Sequence, residues 1–419
     1  MATLRRTAGT LLALAAVIAV LVVPSHPARA ASLNPVTGFG SNPGNLAMYA
    51  YRPDGLAANA PLVVALHGCT QTATDYFDNA GWRRYADLWG FALVLAEQRT
   101  ANNANRCFNW FEPGDTARGS GEALSIRQMV AHAVAAYGLD PARVFVTGLS
   151  AGAAMTAVML ATYPDVFAGG AIMAGLPYRC ATSVASAFQC MNPGVDRTPA
   201  QWGDLVRAAF AYTGTRPRVE IWHGTADTTV VPANATELRD QWTDALGVSQ
   251  TPTSTATLPG GTGVSVYGGG AVRVYLVSGM PHATPVDPGT AIDQCGTAGT
   301  YYRDTICAAY HTGRNWGLDR GGPPPGSSPP ASTAPPASTA PPASTAPPAS
   351  TAPPASTAPP ALCVRATNYD HVRLGRATQR LGYVYAAGSG QAMGLYTLAV
   401  SHGLKQTGPG YWVVADTEC

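Results

Sequence analysis

Between about residues 60 and 280, short apolar runs recur along the chain with helix-spaced stretches between them. Leu62–Leu66, Phe91–Ala96, Val144–Thr147, Gly170–Ala174, Val219–Trp222 and Val272–Val277 are of strand length. They are rich in Val, Ile, Leu and Phe and read as strands buried on both faces. Gly81–Trp89, Ala123–Tyr137, Ala151–Ala161 and Asn234–Leu246 have the spacing or composition of helices, and Asp140-Pro141 breaks the chain before the run at Val144. Strand and helix in alternation predict an α/β unit built on a mostly parallel sheet, over residues 31–320.

The pattern then stops. Residues 321–361 form a Pro/Ala/Ser/Thr-rich linker, and 329–358 are five copies of Pro-Pro-Ala-Ser-Thr-Ala. Such a segment has nothing to bury and predicts a semi-rigid spacer, at most roughly 90 Å long. Residues 362–419 carry aromatic runs at Gly382–Ala386 and Tyr411–Val414 between Gly/Ser/Asn turns, which predicts a small all-β domain. A core this small is marginal, and a bridge between its terminal cysteines, Cys363 and Cys419, is what it needs.

The first thirty residues change the compartment. Arg5 and Arg6, the apolar stretch Leu11–Val23 and Ala28-Arg29-Ala30 predict a signal peptide over 1–30, hence a secreted, extracellular protein with no membrane span after cleavage. In that setting eight cysteines predict disulfides. Their spacing suggests Cys69–Cys107, Cys180–Cys190, Cys295–Cys307 and Cys363–Cys419, and no Cys-x-x-Cys or His-x-x-x-His cluster suggests a metal. A net charge of +2 with 12% charged residues leaves no footprint for nucleic acid and suits a neutral, partly apolar substrate.

The candidate chemistry gathers at Gly148-Leu149-Ser150-Ala151-Gly152, where a strand meets a helix. A serine on such a corner sits exposed on a strained turn, a nucleophile elbow. Its hydroxyl needs an imidazole to take its proton, and the imidazole needs a carboxylate to hold it. Asp227 and His282 follow later strands in the order Ser, Asp, His. The Ala151 N–H and the Cys69 N–H, after the first inner strand, are candidate oxyanion donors. His67 and Trp110 are candidates for shaping the substrate pocket. No cofactor is expected.

Five segments together resemble the extracellular poly(3-hydroxybutyrate) depolymerases: Leu66–Gln71, Cys107–Phe111, Gly148–Met155, His223–Thr229 and Gly279–Pro288. The catalytic part is also similar to feruloyl and acetylxylan esterases. The resemblance implies an α/β-hydrolase fold, a serine esterase with Ser150, Asp227 and His282 as its triad, and a solid polyester as substrate. The tail is similar to the substrate-binding domain of those depolymerases, on Cys363, Ala366, Asn368, His371, Gly375–Ala377, Tyr385–Ser389, Met393–Leu395 and Leu404–Gly408. A single chain is expected to act alone. The alternatives are an esterase of plant cell-wall polysaccharide and a non-catalytic surface-binding protein on a hydrolase fold.

Overall fold

The computed structural model describes residues 32–320, 363–380, 383–395, 400–408, 410–416 and 418–419. The expected signal peptide and repeat linker lie outside the described residues. The chain divides into two compact units, one up to Pro330 and one from Ala331 onward.

The first unit is organised on a ten-stranded sheet. Its strands are β1 (Asn34–Val36), β2 (Ala47–Tyr51), β3 (Leu62–Leu66), β4 (Ala92–Glu97), β5 (Val144–Leu149), β6 (Gly169–Met173), β7 (Arg218–Gly224), β8 (Ser254–Leu258), β9 (Thr262–Tyr267) and β10 (Val272–Val277). They lie in the order β1-β2-β4-β3-β5-β6-β7-β10-β9-β8. The stretch from β4 to β10 is parallel throughout, and antiparallel pairs flank it at both edges.

The continuous apolar reading of the inner strands has a direct cause. Leu62, Val64 and Leu66 of β3 enter one core, with Ile126, Met129, Met155 and Val158 of the helices Gly121–Tyr137 and Ala151–Thr162. Val63 and Ala65 enter the other, with Trp82, Tyr85 and Phe145. Alternate side chains point to opposite faces, and both faces are covered, so every position is apolar. The helix Ala151–Thr162 is buried along its whole length, which is why it carries no polar stripe.

The segments read from the pattern form strands and helices, with ends shifted by one or two residues. The pattern did not disclose the outer strands β1, β2, β8 and β9, nor the helices Ala73–Asn79, Val184–Met191, Pro199–Ala209 and Ala308–Asn315. β8 is largely exposed and Thr/Ser-rich, so no core imposes a pattern on it.

The second unit holds two three-stranded antiparallel sheets around a small core of Val384, Ala386, Met393, Leu404 and Trp412. It is not purely β. A short helix, Asn368–Arg373, starts where the Thr367 side chain accepts from the Asp370 N–H, a helix-start signal that the all-β reading passed over. Cys363 and Cys419 are bonded, as are Cys69–Cys107, Cys180–Cys190 and Cys295–Cys307.

Candidate active site

Ser150, Asp227, Cys69 and His282 each follow the carboxyl end of a strand, β5, β7, β3 and β10 in turn. Ser150 follows β5 with φ 56° and ψ −116°, a conformation L-residues avoid and that costs about 1–3 kcal/mol. The surroundings enforce it: the Ser150 N–H donates to Met173 O and the Ala154 N–H to Ser150 O, each at 2.9 Å. The two flanking glycines are required by close approach. A Cβ on Gly148 would lie 2.5 Å from the Gly152 carbonyl, and one on Gly152 would lie 2.4 Å from Leu66 O.

Asp227 is buried in the loop after β7. Its Oδ1 accepts the Thr229 and Val230 amides at 2.9 Å each, and its Oδ2 lies 2.7 Å from His282 Nδ1. Since a carboxylate only accepts, Nδ1 is the donor in this contact, which leaves Nε2 free to accept a proton. His282 reaches Asp227 because its loop crosses the end of β7 at Gly224, where a Cβ would lie 2.1 Å from Met280 O. The two loops are then stitched together: the Ala226 N–H donates to Met280 O at 3.1 Å, and the Gly279 N–H to Thr225 Oγ1 at 2.8 Å. His223 stands beside the pair, its Nε2 3.5 Å from Asp227 Oδ2 and 2.7 Å from Val230 O. Burial lowers its pKa, so it is a neutral donor that fixes the loop.

Ser150 and His282 face a common cavity of about 480 Å³, to which Cys69 and Ala151 also contribute. Ala151 is the first residue of its helix, so its N–H has no acceptor within the helix. Around Cys69 the neighbouring amides are occupied, Gly68 N–H by Gln71 Oε1 at 2.7 Å and Thr70 N–H by Asn105 O at 2.6 Å. The Cys69 N–H has no acceptor among the described residues. Both residues thus line the cavity and carry N–H groups without an acceptor among the described residues.

His67 is corrected here. It does not line the cavity; it is fully buried behind the turn. Its Nδ1 donates to Gly68 O at 2.7 Å and its Nε2 accepts the Gln98 N–H at 3.1 Å, leaving no atom for substrate. Burial lowers its pKa to about 4, so it braces the turn as a neutral ring. Behind it, Gln98 donates to Glu122 and to Cys107 O, and Glu122 accepts the Asn109 N–H at 2.9 Å. Burial pushes the Glu122 carboxyl up to about 8. This polar network, together with the Cys69–Cys107 bond, holds the segment that carries Trp110. Trp110 is itself buried and does line the cavity. Asp287 is bridged to Cys295 and takes no part in the cavity wall.

Sequence reading missed most of the remaining wall. Thr70, Gln71, Asn103 and Asn105 form a polar side, and Leu176, Val184, Ala187, Phe188 and Met191 an apolar one. The closed segment Cys180–Cys190 was the available signal, since a cross-link on an unassigned stretch marks a shape worth fixing.

Residues 46–258 match the family model described as Esterase PHB depolymerase. A poly(3-hydroxyalkanoate) depolymerase C of Paucimonas lemoignei is 54% identical over 293 residues, covering 68% of this chain and 70% of its own length. A feruloyl esterase B of Neurospora crassa is 40% identical over 265 residues, covering 61% and 90%. Among solved structures, an acetyl xylan esterase from Aspergillus awamori aligns with a TM-score of 0.56 at 32% identity, over 60% of this chain and 94% of its own. The chain belongs to the esterase PHB depolymerase family and is a carboxylic ester hydrolase of the α/β-hydrolase fold.

Proposed function

We propose that this protein is a secreted serine esterase that hydrolyses poly(3-hydroxybutyrate), with its tail domain, joined by the repeat linker, adsorbing to the solid polymer. The observation that carries the reading is one uncharged cavity holding Ser150 and His282, with His282 Nδ1 at 2.7 Å from buried Asp227. The 54% identity to a poly(3-hydroxyalkanoate) depolymerase supports the polyester over a plant cell-wall ester.

In this reading His282 Nε2 takes the Ser150 proton as Oγ attacks the ester carbonyl. Asp227 holds the ring in the right tautomer and stabilises the imidazolium. The Cys69 and Ala151 N–H groups receive the oxyanion, whose negative charge develops only in the transition state. The tetrahedral species collapses as His282 protonates the leaving 3-hydroxyl oxygen, which frees one chain end and leaves an acyl-serine. Water, activated by the same imidazole, then releases the acid and restores Ser150. The polar amide side of the cavity suits the ester carbonyls of neighbouring units, and the apolar side suits their methyl groups.

In the tail domain Tyr411 is exposed, whereas Trp412 is core under Arg376. Tyr411 is accordingly a contact for the polymer: a ring with an apolar body and a hydroxyl that can reach a carbonyl. Clearing of a poly(3-hydroxybutyrate) suspension, run beside ferulate release from arabinoxylan, tests the function. Clearing by the wild-type protein and none by Ser150→Ala is the expected result; ferulate release without clearing overturns the polyester reading. Fluorophosphonate labelling of Ser150 excludes a non-catalytic binding protein.

A further inference from the structure

A carboxyl group is seldom shut away from water, because its charged form loses hydration there. Glu122, the second residue of the helix Gly121–Tyr137, is nonetheless fully buried, and it belongs neither to the cavity wall nor to the triad. Both of its oxygens face donors: Oε1 accepts from Gln98 Nε2, and Oε2 accepts the Asn109 N–H at 2.9 Å. A carboxylate satisfies both, whereas the acid form would set its O–H against one of these N–H groups. The helix N-terminus adds a field that favours the anion.

The Gln98 amide has no freedom left either. Its other Nε2 hydrogen goes to Cys107 O at 3.1 Å, and its Oε1 accepts the Arg99 N–H at 3.0 Å and Asn102 Nδ2 at 2.7 Å. Its backbone N–H meets His67 Nε2 at 3.1 Å, and His67 Nδ1 in turn holds Gly68 O at 2.7 Å. In a trans peptide the C=O and N–H are antiparallel, so a fixed Gly68 O also fixes the direction of the Cys69 N–H. One branch from Glu122 thus ends on the proposed oxyanion donor. The other, through Asn109, ends on the segment that carries Trp110. Two stretches of the cavity wall rest on one carboxylate.

We propose that Glu122 is a positioning residue for ester hydrolysis, whose ionised carboxylate keeps the oxyanion turn and the Trp110 segment in the geometry that turnover requires, and whose protonation loosens both. The inference rests on the mechanism proposed above and adds a second ionisation to that of His282. Burial, reinforced by the negative charge of Asp115 on the short helix Pro113–Thr116, pushes the carboxyl up to about 8. Asp115 Oδ1 accepts the Glu122 N–H at 3.1 Å. Of the other elements packed here, Glu97 at the end of β4 is engaged by the Ala73 N–H at 2.8 Å, Arg106 acts on the His67 ring, and the helix Ala151–Thr162 carries no charge. As pH rises through about 8 the network therefore passes from the mismatched acid to the matched carboxylate. Oxyanion donors act in the transition state, so the effect falls on kcat and not on KM.

The test follows kcat and KM for nitrophenyl butyrate from pH 6 to 9.5 in full-length wild type, Glu122→Gln and Asp115→Asn, with Ser150→Ala alongside. The ionisation of His282 is common to the first three. In the wild type kcat is expected to rise further around pH 8, with KM flat. Glu122→Gln, whose side chain cannot ionise, is expected to lack that rise and to lie at least about tenfold below wild type at pH 9. Asp115→Asn removes the neighbouring negative charge and keeps an acceptor for the Glu122 N–H, so the rise is expected to move to lower pH. That second variant decides the matter if Glu122→Gln does not fold. A Glu122→Gln profile parallel to wild type, whether equal or uniformly lower, overturns the proposal, and so does a rise that Asp115→Asn leaves in place. A Ser150→Ala protein that still cleaves the ester overturns the underlying mechanism, a result distinct from either.

Discussion

His282 Nδ1 lies 2.7 Å from Asp227 Oδ2, although the two residues are 55 positions apart and on loops that follow different strands. The other carboxylate oxygen is saturated by the Thr229 and Val230 amides. The carboxylate cannot swing away, and the imidazole has one tautomer and one orientation. Everything the proposed mechanism asks of His282 follows from that contact.

Asp227→Asn tests it. An amide in this place presents either a donor to Nδ1–H or a forced ring flip, and the wrong tautomer is left facing Ser150. Turnover of nitrophenyl butyrate is expected to drop about 10⁴-fold with KM little changed. A decline of less than tenfold would remove Asp227 from the mechanism.

The elbow makes a stability prediction. Gly152→Ala places a methyl group 2.4 Å from Leu66 O and 2.5 Å from His67 O, both backbone atoms of β3 and the turn after it. Neither can move without disturbing the oxyanion donors. A loss of about 3 kcal/mol is expected in urea unfolding, alongside a fall in turnover. Unchanged unfolding would show that the turn yields more readily than its hydrogen bonds suggest.

Two shielded imidazoles, His67 fully buried and His311 half-buried, each cost the folded catalytic unit stability in acid. Burial lowers the His67 pKa from 6.5 to about 4, and that of His311 likewise to about 4. Between these values the unfolded chain binds protons that the folded chain does not. Stability is therefore fully present above pH 6.5 and is lost as pH falls toward 4, by up to about 3 kcal/mol per ring. For His67, protonation also sets Nε2–H against the Gln98 N–H, donor against donor. Burial raises the Glu122 and Glu220 carboxyls to about 8 and about 7, which works in the opposite direction over the same range, so the imidazole contribution is read as a difference. Urea midpoints of His311→Gln are expected to gain on those of the wild type as pH falls from 7 to 4.5, and parallel profiles would contradict a neutral His311 ring.

The tail domain is expected to depend on its cross-link. Cys363–Cys419 spans 56 positions, and a loop of that length contributes about 4 kcal/mol in the chain-entropy picture, against a core of only a few side chains. Cys363→Ser with Cys419→Ser should abolish adsorption to polymer granules while nitrophenyl butyrate hydrolysis persists. Tyr411→Ala should weaken adsorption about tenfold without unfolding the domain, since the ring is exposed. Adsorption that survives both changes would sink the proposed role of the tail.

The strand-length apolar runs, the Gly-x-Ser-x-Gly corner and the downstream Asp and His were legible because each obeys a local constraint. A doubly covered strand must be apolar at every position, and a corner packed against a neighbouring carbonyl must be glycine. β8 and β9 were not legible, for β8 is the edge strand, pairs only with β9 and lies largely in water. His67 was misjudged for a related reason. A histidine next to a candidate oxyanion turn reads as part of the pocket in one dimension, and only the positions of Gly68 O and Gln98 N show both ring nitrogens already occupied behind it.

The sequence by itself determined the succession of the inner strands, the corner at Ser150 and the identities of the residues that could do the chemistry. These depend on neighbours within a few positions and on the two-residue and 3.6-residue periods of the backbone. The tertiary structure alone decided which of them meet. Gly224 lets the His282 loop cross β7, the 480 Å³ cavity gathers segments from β3, β5, β7 and β10, and a short cross-linked helix leaves Phe188 facing outward at its mouth. Such contacts are fixed by packing between residues far apart in the chain, and no local pattern records a distance across a sheet.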